Sequence, residues 1–141
     1  MSCVDLTALI DTMDEQQVEM LLKLFASVEL TITRPPRSGL MMLTMKDSFE
    51  TDFHLGEVLV TEARVLFCGC EGFGMVMGES PRRALARAAA DAVLRCPEPA
   101  GIRDQLIASL EQEEQMQKNR LAETAALVAA TKVNFDLMPG A

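Results

Sequence analysis

The sequence has no tryptophan or tyrosine and only one histidine among its 141 residues. Without the two larger aromatic residues, stacking platforms for bases or sugars would have to come from phenylalanine alone. Any Ser/His/Asp or Cys/His catalytic arrangement would depend on His54, which lies in a strand-like run and is interpreted as an ordinary strand residue. We therefore predict no catalytic residue in this chain.

Positive charge is also scarce, since 13 basic residues stand against 21 acidic ones and leave a net charge of −8. This balance argues against electrostatic binding to DNA or RNA. The apolar stretches are too short to span a membrane, and Asp5 and Asp11 interrupt a segment that does not resemble a signal peptide. We predict a single cytoplasmic domain over residues 1–141 that binds neither nucleic acid nor membrane.

The chain has four cysteines, which are predicted to be reduced, small buried thiols. Cys68 and Cys70 are two residues apart, so both sulfurs would point to the same face of a strand. One such pair with a single histidine does not supply the four ligands of a zinc site. No metal and no cofactor are predicted, and the pattern leaves the role of this pair open.

The hydrophobic pattern predicts an α+β fold with N-terminal helices, a four-stranded antiparallel sheet, two C-terminal helices and an extended tail. The N-terminal region should form two short helices joined near residues 12–14, with Thr12 and Glu15 as a capping box. Pro35, Pro36 and Gly39 should separate the first two strands. The four strands are expected at 28–33, 40–45, 53–67 and 73–77, with a turn at 69–72.

The first C-terminal helix is predicted to begin at Ser80 and Pro81, which form a side-chain cap followed by proline at the first helical position. Its many alanines make it narrow, so that it can lie close to another backbone. The second helix, over about 102–130, is polar in its middle and apolar at both ends. One apolar end would pack on the chain's own sheet and the other on a partner.

Arginines cluster at the start of the first of these helices. Arg82 and Arg83 occupy its first turn, where the helix dipole disfavours positive charge, and Arg87 follows one turn later. Helix N-termini bind phosphate through their free N–H groups. The three arginines are therefore candidates for contact with a polyphosphate or with a carboxylate of a neighbouring subunit. Surface ion pairs with Glu71 or Glu79 are the structural alternative.

The last residues alternate between apolar and polar side chains, the period of a half-buried strand. Val133, Phe135 and Leu137 form the apolar side. Such a short segment needs a sheet edge to pair with, either in this chain or in another. We predict that these three residues form a partner interface.

Four segments, in this order and spacing, resemble the PhnG family of the bacterial carbon–phosphorus lyase machinery. They are LGEVLVTEARV (55–65), GFGMVMG (72–78), ALARAAADA (84–92) and ATKVNFDLM (130–138). The glycines of the second segment lack the GxGxxG spacing of a dinucleotide-binding fingerprint, and its apolar residues predict a strand. With the N-terminal helices, the resemblance covers essentially the whole chain.

The resemblance implies a subunit that works with PhnH and PhnI in an assembly that also includes PhnJ. In the first committed step a phosphonate displaces adenine from ATP and gives ribose 1-phosphonate 5-triphosphate. The nucleosidase activity is associated with PhnI, and PhnJ later cleaves the carbon–phosphorus bond. The resemblance therefore implies an accessory subunit of a transferase complex that is inactive alone, where it would form a homo-oligomer. The alternative is a self-sufficient domain that binds a nucleotide or a phosphonate.

Overall fold

The computed structural model describes residues 3–131, with side-chain surroundings from residue 6 onward. The predicted α+β class is confirmed: helices flank an antiparallel sheet with the strand order β1-β2-β3. The elements are α1 (Cys3–Ala8), a 3₁₀ turn (Leu9–Asp11), α2 (Glu15–Ala26), β1 (Thr31–Lys46), β2 (Asp52–Phe67), β3 (Cys70–Met77), α3 (Pro81–Arg95) and α4 (Ala100–Thr131). The predicted extended tail lies outside the described residues.

The two N-terminal helices are separated where the sequence predicts it, but a different residue caps the second one. The carboxylate of Asp14 accepts a hydrogen bond from the backbone N–H of Gln17 at 2.9 Å. The hydroxyl of Thr12 donates instead to the carbonyl of Leu9. The predicted capping box is wrong because Asp14, with extended backbone, directly precedes the first helical residue and lies within reach of the free N–H groups.

The structure has three strands among its described residues, not four, because the first two predicted strands are one continuous β1. Pro35, Pro36 and Gly39 do not end the strand, although its pairing with β2 is irregular on either side of Arg34. Proline is tolerated there because β1 lies at the edge of the sheet and because its register with β2 skips both prolines, between Arg34 and Arg37. Their missing N–H groups therefore remove no ladder hydrogen bond. Two prolines were therefore a poor indicator of a strand end.

β2 and β3 are joined by a two-residue turn at Cys68 and Gly69, both with positive φ, of 48° and 81°. Tight hairpins favour two such residues, because their backbone twist matches that of the strands. The predicted turn at 69–72 is thus displaced, and Gly72 and Gly74 lie within β3. A Cβ atom at either glycine would overlap the backbone of α3, at Ala88 in both cases. The predicted close approach of this alanine-rich helix is confirmed.

The core lies between one face of the sheet, α3, the N-terminal helices and the first part of α4. Ile10, Leu106 and Leu110 are fully buried there, together with most of the alanines of α3. Ser80 precedes α3 and Pro81 begins it, as predicted, but the Ser80 side chain makes no capping hydrogen bond. None of the described helices combines the length and apolar character needed to cross a bilayer.

Candidate functional site

The outer parts of β1 and β2 extend beyond the rest of the sheet. β3 pairs with β2 only from Val60 to Phe67. Residues 40–59 therefore form a two-stranded hairpin of β1 and β2, and β3 does not pair with it. We call this segment the distal hairpin. Every residue from 40 to 57 is exposed to solvent.

The distal hairpin is apolar on both of its faces. Four consecutive apolar residues begin at Leu40, so neighbouring side chains that point to opposite faces are equally hydrophobic. An isolated two-stranded hairpin is marginally stable in water, and an exposed apolar patch of this kind marks an interaction site. Its large exposed apolar side chains are Leu40, Met41, Met42, Leu43, Met45, Phe49, Phe53, Leu55 and Leu59.

The tip of the distal hairpin is ordered by one carboxylate. Asp47 accepts hydrogen bonds from the backbone N–H groups of Phe49 at 2.8 Å and Thr51 at 2.9 Å. The backbone N–H of Glu50, a residue with positive φ, donates to the Asp47 carbonyl. These bonds hold Phe49 at the end of the turn with 87% of its surface exposed. The tip therefore presents an aromatic side chain in a fixed place.

The outer half of α4 is a second exposed segment. The buried half packs on α1, the 3₁₀ turn and α3. The sequence had instead predicted that this end of the helix would pack on the sheet. Gln117 still contacts this body, because its amide donates to the carbonyl of Leu9 at 3.3 Å. Beyond it, residues 118–131 are exposed, including Leu121, Leu127 and Val128. We call residues 118–131 the outer helix.

Arg83 is bound within the chain. Only 13% of its side chain is exposed, and it donates to the carbonyls of Ile10 and Met13 and to the carboxylate of Glu15, at 2.5, 2.7 and 2.8 Å. The acceptors lie on the N-terminal segment, which the arginine therefore holds against α3. The suggested partners Glu71 and Glu79 do not contact it.

Arg87 has the same role one turn further along α3. Its guanidinium contacts both carboxylate oxygens of Asp11, at 2.9 and 2.7 Å, and donates to the carbonyl of Met75 at 2.9 Å. Arg82 differs, because it is exposed and has no side-chain partner among the described residues. Of the three candidate arginines, Arg82 is thus the one whose guanidinium is open to an external anion.

The three described thiols lie near the turn between β2 and β3. Cys96 is buried and donates to the carbonyl of Glu98 at 2.9 Å. Its side-chain hydrogen bond with Cys70, followed by burial, raises the pKa of the Cys70 thiol. Local desolvation by neighbouring residues, and then the charge of Cys96, raises the pKa of the Cys68 thiol. A raised pKa keeps the thiols of Cys68 and Cys70 protonated at neutral pH and makes them weak nucleophiles.

Two predictions about the cysteines need correction. Cys68 is exposed, not buried, and it lies in the turn. The two sulfurs of Cys68 and Cys70 therefore do not share the face of one strand. Within residues 3–131, no group of three or more His, Cys, Asp or Glu side chains has an arrangement that fits a metal ion.

Sequence reasoning missed the exposure of the distal hairpin, although a signal was present. A strand with one solvated face alternates between apolar and polar residues, whereas an unbroken apolar run is typical of a strand covered on both faces. Leu40 to Leu43 has no alternation, and nothing in the described chain covers it. Val133, Phe135 and Leu137 lie outside the described residues, so their predicted interface is not tested by the structure.

Comparison with protein families connects this architecture to a biological process. The family model described as "Phosphonate metabolism protein PhnG" matches residues 5–140, nearly the whole chain. No curated protein matches the chain at a significant level of similarity. The family match includes the N-terminal helices, the complete sheet with its distal hairpin, and both C-terminal helices. The chain therefore belongs to the PhnG family of phosphonate metabolism proteins.

Proposed function

We propose that this chain is an accessory, non-catalytic subunit of the carbon–phosphorus lyase complex. It would be needed with PhnH and PhnI, in an assembly that includes PhnJ, when a phosphonate displaces adenine from ATP and gives ribose 1-phosphonate 5-triphosphate. The distal hairpin carries this proposal, because its two apolar faces and free edges require cover that the described chain does not provide. The assignment of the reaction rests on the family.

The chemistry of the distal hairpin favours a protein partner. Unpaired N–H and C=O groups at a strand edge are satisfied when another strand pairs with them, while pockets receive the alternate side chains. Methionine is frequent in this segment, and its flexible side chain adapts to an irregular partner surface. The exposed Phe49 at the tip supplies an aromatic anchor of the kind that contributes strongly to interfaces.

The outer helix would give a second contact with the assembly. Its exposed leucines and valine have no cover in the described chain, and the untested residues Val133, Phe135 and Leu137 follow it in sequence. We propose that these three residues pair with PhnI or, in its absence, with a second copy of this chain. Deleting residues 132–141 should then weaken association much more than it lowers the melting temperature. An early-melting truncation that still assembles would contradict this.

The arginines divide into two groups in this proposal. Arg82 would contact an anionic group of substrate or of a partner subunit, because its guanidinium is exposed and has no partner among the described side chains. Arg83 and Arg87 would support that contact by holding the N-terminal segment beside it. An Arg82→Glu variant should assemble poorly or lose activity in the complex while it keeps its fold.

Co-expression with PhnH, PhnI and PhnJ, followed by size-exclusion chromatography and an assay of adenine release, tests the proposal. The wild-type chain should enter the complex, and the pure chain should release no adenine from ATP with methylphosphonate. Met42→Glu on the distal hairpin should prevent assembly. Met20→Glu is the matched control, because it makes the same change at a methionine on α2 that is even more exposed, at 67% against 55% for Met42. Turnover by the pure chain, or normal assembly of Met42→Glu, would contradict the proposal.

A further inference from the structure

A cleft lies between α2 and the middle of α4, away from the distal hairpin. Its volume is about 340 Å³, within the range of sites that hold small organic molecules. Met13, Met20 and Leu21 line it on one side and Met116 lines it on the other. Methionine side chains are flexible and polarizable, so they can pack around an aliphatic ligand of variable shape.

One wall of the cleft contains a buried carboxylate with an unused oxygen. Glu113 is 2% exposed. Its Oε1 accepts hydrogen bonds from the Gln117 amide at 3.0 Å and from the Arg120 guanidinium at 3.2 Å. Its Oε2 is buried and has no hydrogen-bond partner among the described residues. A buried carboxylate oxygen without a donor costs free energy, so it calls for a ligand that donates a hydrogen bond.

The opposite wall supplies a second acceptor of the same kind. The side-chain carbonyl oxygen of Gln17 is buried and also has no hydrogen-bond partner in the described part of the chain. The amide nitrogen of Gln17 lies 4.0 Å from the sulfur of Met116, a weak contact. Two unused acceptors on facing helices thus line a cleft whose other walls are mainly apolar.

We propose that this cleft binds a small molecule that carries a primary ammonium group on an aliphatic chain. The ammonium would donate hydrogen bonds to Glu113 Oε2 and Gln17 Oε1, and its alkyl chain would pack among the methionines. An ammonium has three donors and no acceptor, which matches the two unused acceptors of the cleft. Arg120 offsets the charge of Glu113 only in part, since it contacts the other oxygen and is half exposed.

The same chemistry disfavours an anion in the cleft. A phosphate or phosphonate group would meet the carboxylate of Glu113 and two unused acceptors, and the lining donors Ser109 and Gln112 carry no positive charge to offset them. This site is therefore independent of the proposed role in phosphonate activation. Binding in the cleft can fail while assembly through the distal hairpin holds, and the reverse is equally true.

The test is an NMR titration of the full-length chain, labelled with ¹³C at the methionine methyl groups, with n-hexylammonium chloride. The methyl signals of Met13, Met20 and Met116 should shift and reach saturation. Signals of Met41 and Met42 on the distal hairpin serve as an internal control for nonspecific contact with the alkyl chain. n-Hexanol should bind roughly tenfold more weakly or worse, since it lacks the charge-assisted hydrogen bond, and hexanoate should not bind.

Two variants identify the acceptors. Glu113→Gln keeps the shape of the side chain and removes its charge, and it should weaken n-hexylammonium binding by about tenfold or more. Glu111→Gln, the same change at an exposed position of α4, should bind like the wild type. Gln17→Met removes the second acceptor without altering Glu113, and it should weaken binding by a few fold even if Glu113→Gln folds poorly.

Three results would overturn the proposal. The first is the absence of saturable shifts at the cleft methionines. The second is equal binding of n-hexanol and n-hexylammonium, or unchanged binding in the two variants. The third would come from the purified assembly: if the cleft signals move on assembly and n-hexylammonium no longer binds, a lysine of a partner chain occupies the acceptors and the ligand is not a small molecule.

Discussion

The two halves of β2 have similar backbones and opposite environments. From Ala63 to Phe67 buried and exposed residues alternate, with every second side chain packed under α3. From Asp52 to Glu57 every residue is exposed, although the strand continues to pair with β1. Strand formation in this protein is therefore not evidence of burial. The inner half belongs to the core of the subunit, and the outer half is available to something else.

Replacing one glycine under α3 and one in the open part of the sheet should give the largest difference in stability. Gly74→Ala places a Cβ against the backbone of Ala84 and Ala88, which cannot retreat without moving α3. We expect a loss of about 3 kcal/mol in the free energy of unfolding, measured by urea denaturation. Gly39→Ala in β1 meets nothing within 4 Å and should stay within about 0.5 kcal/mol. Equal losses would show that α3 adapts to the added carbon.

Replacing the adjacent arginines Arg82 and Arg83 should give the second-largest difference in stability. Arg83→Met leaves the carbonyls of Ile10 and Met13 without their donor, and we expect a loss of about 2 kcal/mol. Arg82→Met removes no contact described within the chain and should change stability by less than about 0.5 kcal/mol. Both changes are measurable by thermal and urea unfolding. If the two variants are equally stable, the buried contacts of Arg83 contribute little.

A change at the tip of the distal hairpin should affect association and leave the fold intact. Phe49→Ser removes a side chain that touches little of its own subunit, so the free energy of unfolding should change by less than about 0.5 kcal/mol. If PhnI is the proposed subunit that covers the distal hairpin and Phe49 is an interface anchor, the affinity for PhnI, measured by isothermal titration calorimetry, should fall about tenfold. A variant that binds normally would place the contact elsewhere on the hairpin.

The smallest effect concerns a reaction rate and not stability. Cys68 is exposed, yet local desolvation and the neighbouring Cys96 raise the pKa of its thiol. A thiol with a raised pKa has less reactive thiolate at pH 8, and the thiolate fraction grows as the pH rises through the folded-state pKa. Alkylation of Cys68 by iodoacetamide, followed by mass spectrometry, should therefore be slower in the folded chain than in urea. Equal rates would contradict the raised pKa.

Local patterns in the sequence predicted the helices well. Hydrophobic spacing gave both N-terminal helices, Pro81 marked the start of α3, and the position of α4 was correct to within two residues at each end. The errors arose where tertiary context decides the outcome. Pro35 and Pro36 are compatible with a strand because β1 lies at an edge and because its register with β2 skips both residues. Asp14, and not Thr12, caps α2, because Asp14 has an extended backbone and directly precedes the first helical residue.

The site was harder to predict than the fold. Four arginines between 82 and 95 were visible in the sequence. The partners of two of them, Glu15 for Arg83 and Asp11 for Arg87, are about 70 residues away, and spacing alone does not connect them. Asp91, the one acid in that segment, is also occupied, because it accepts hydrogen bonds from the backbone of Phe73 and from Arg95. Glu113 lay in a polar run typical of a solvated face, yet it is buried.

The bond between Arg87 and Asp11 has a consequence for the synthesis of the protein. The two residues are 76 positions apart. At roughly 5–20 residues per second, a ribosome takes about 4–15 s to add that length of chain. Throughout this interval the N-terminal helices exist without the arginines that attach them to α3. We therefore expect their docking to be among the last steps of folding, completed only after the sheet and α3 have left the ribosome.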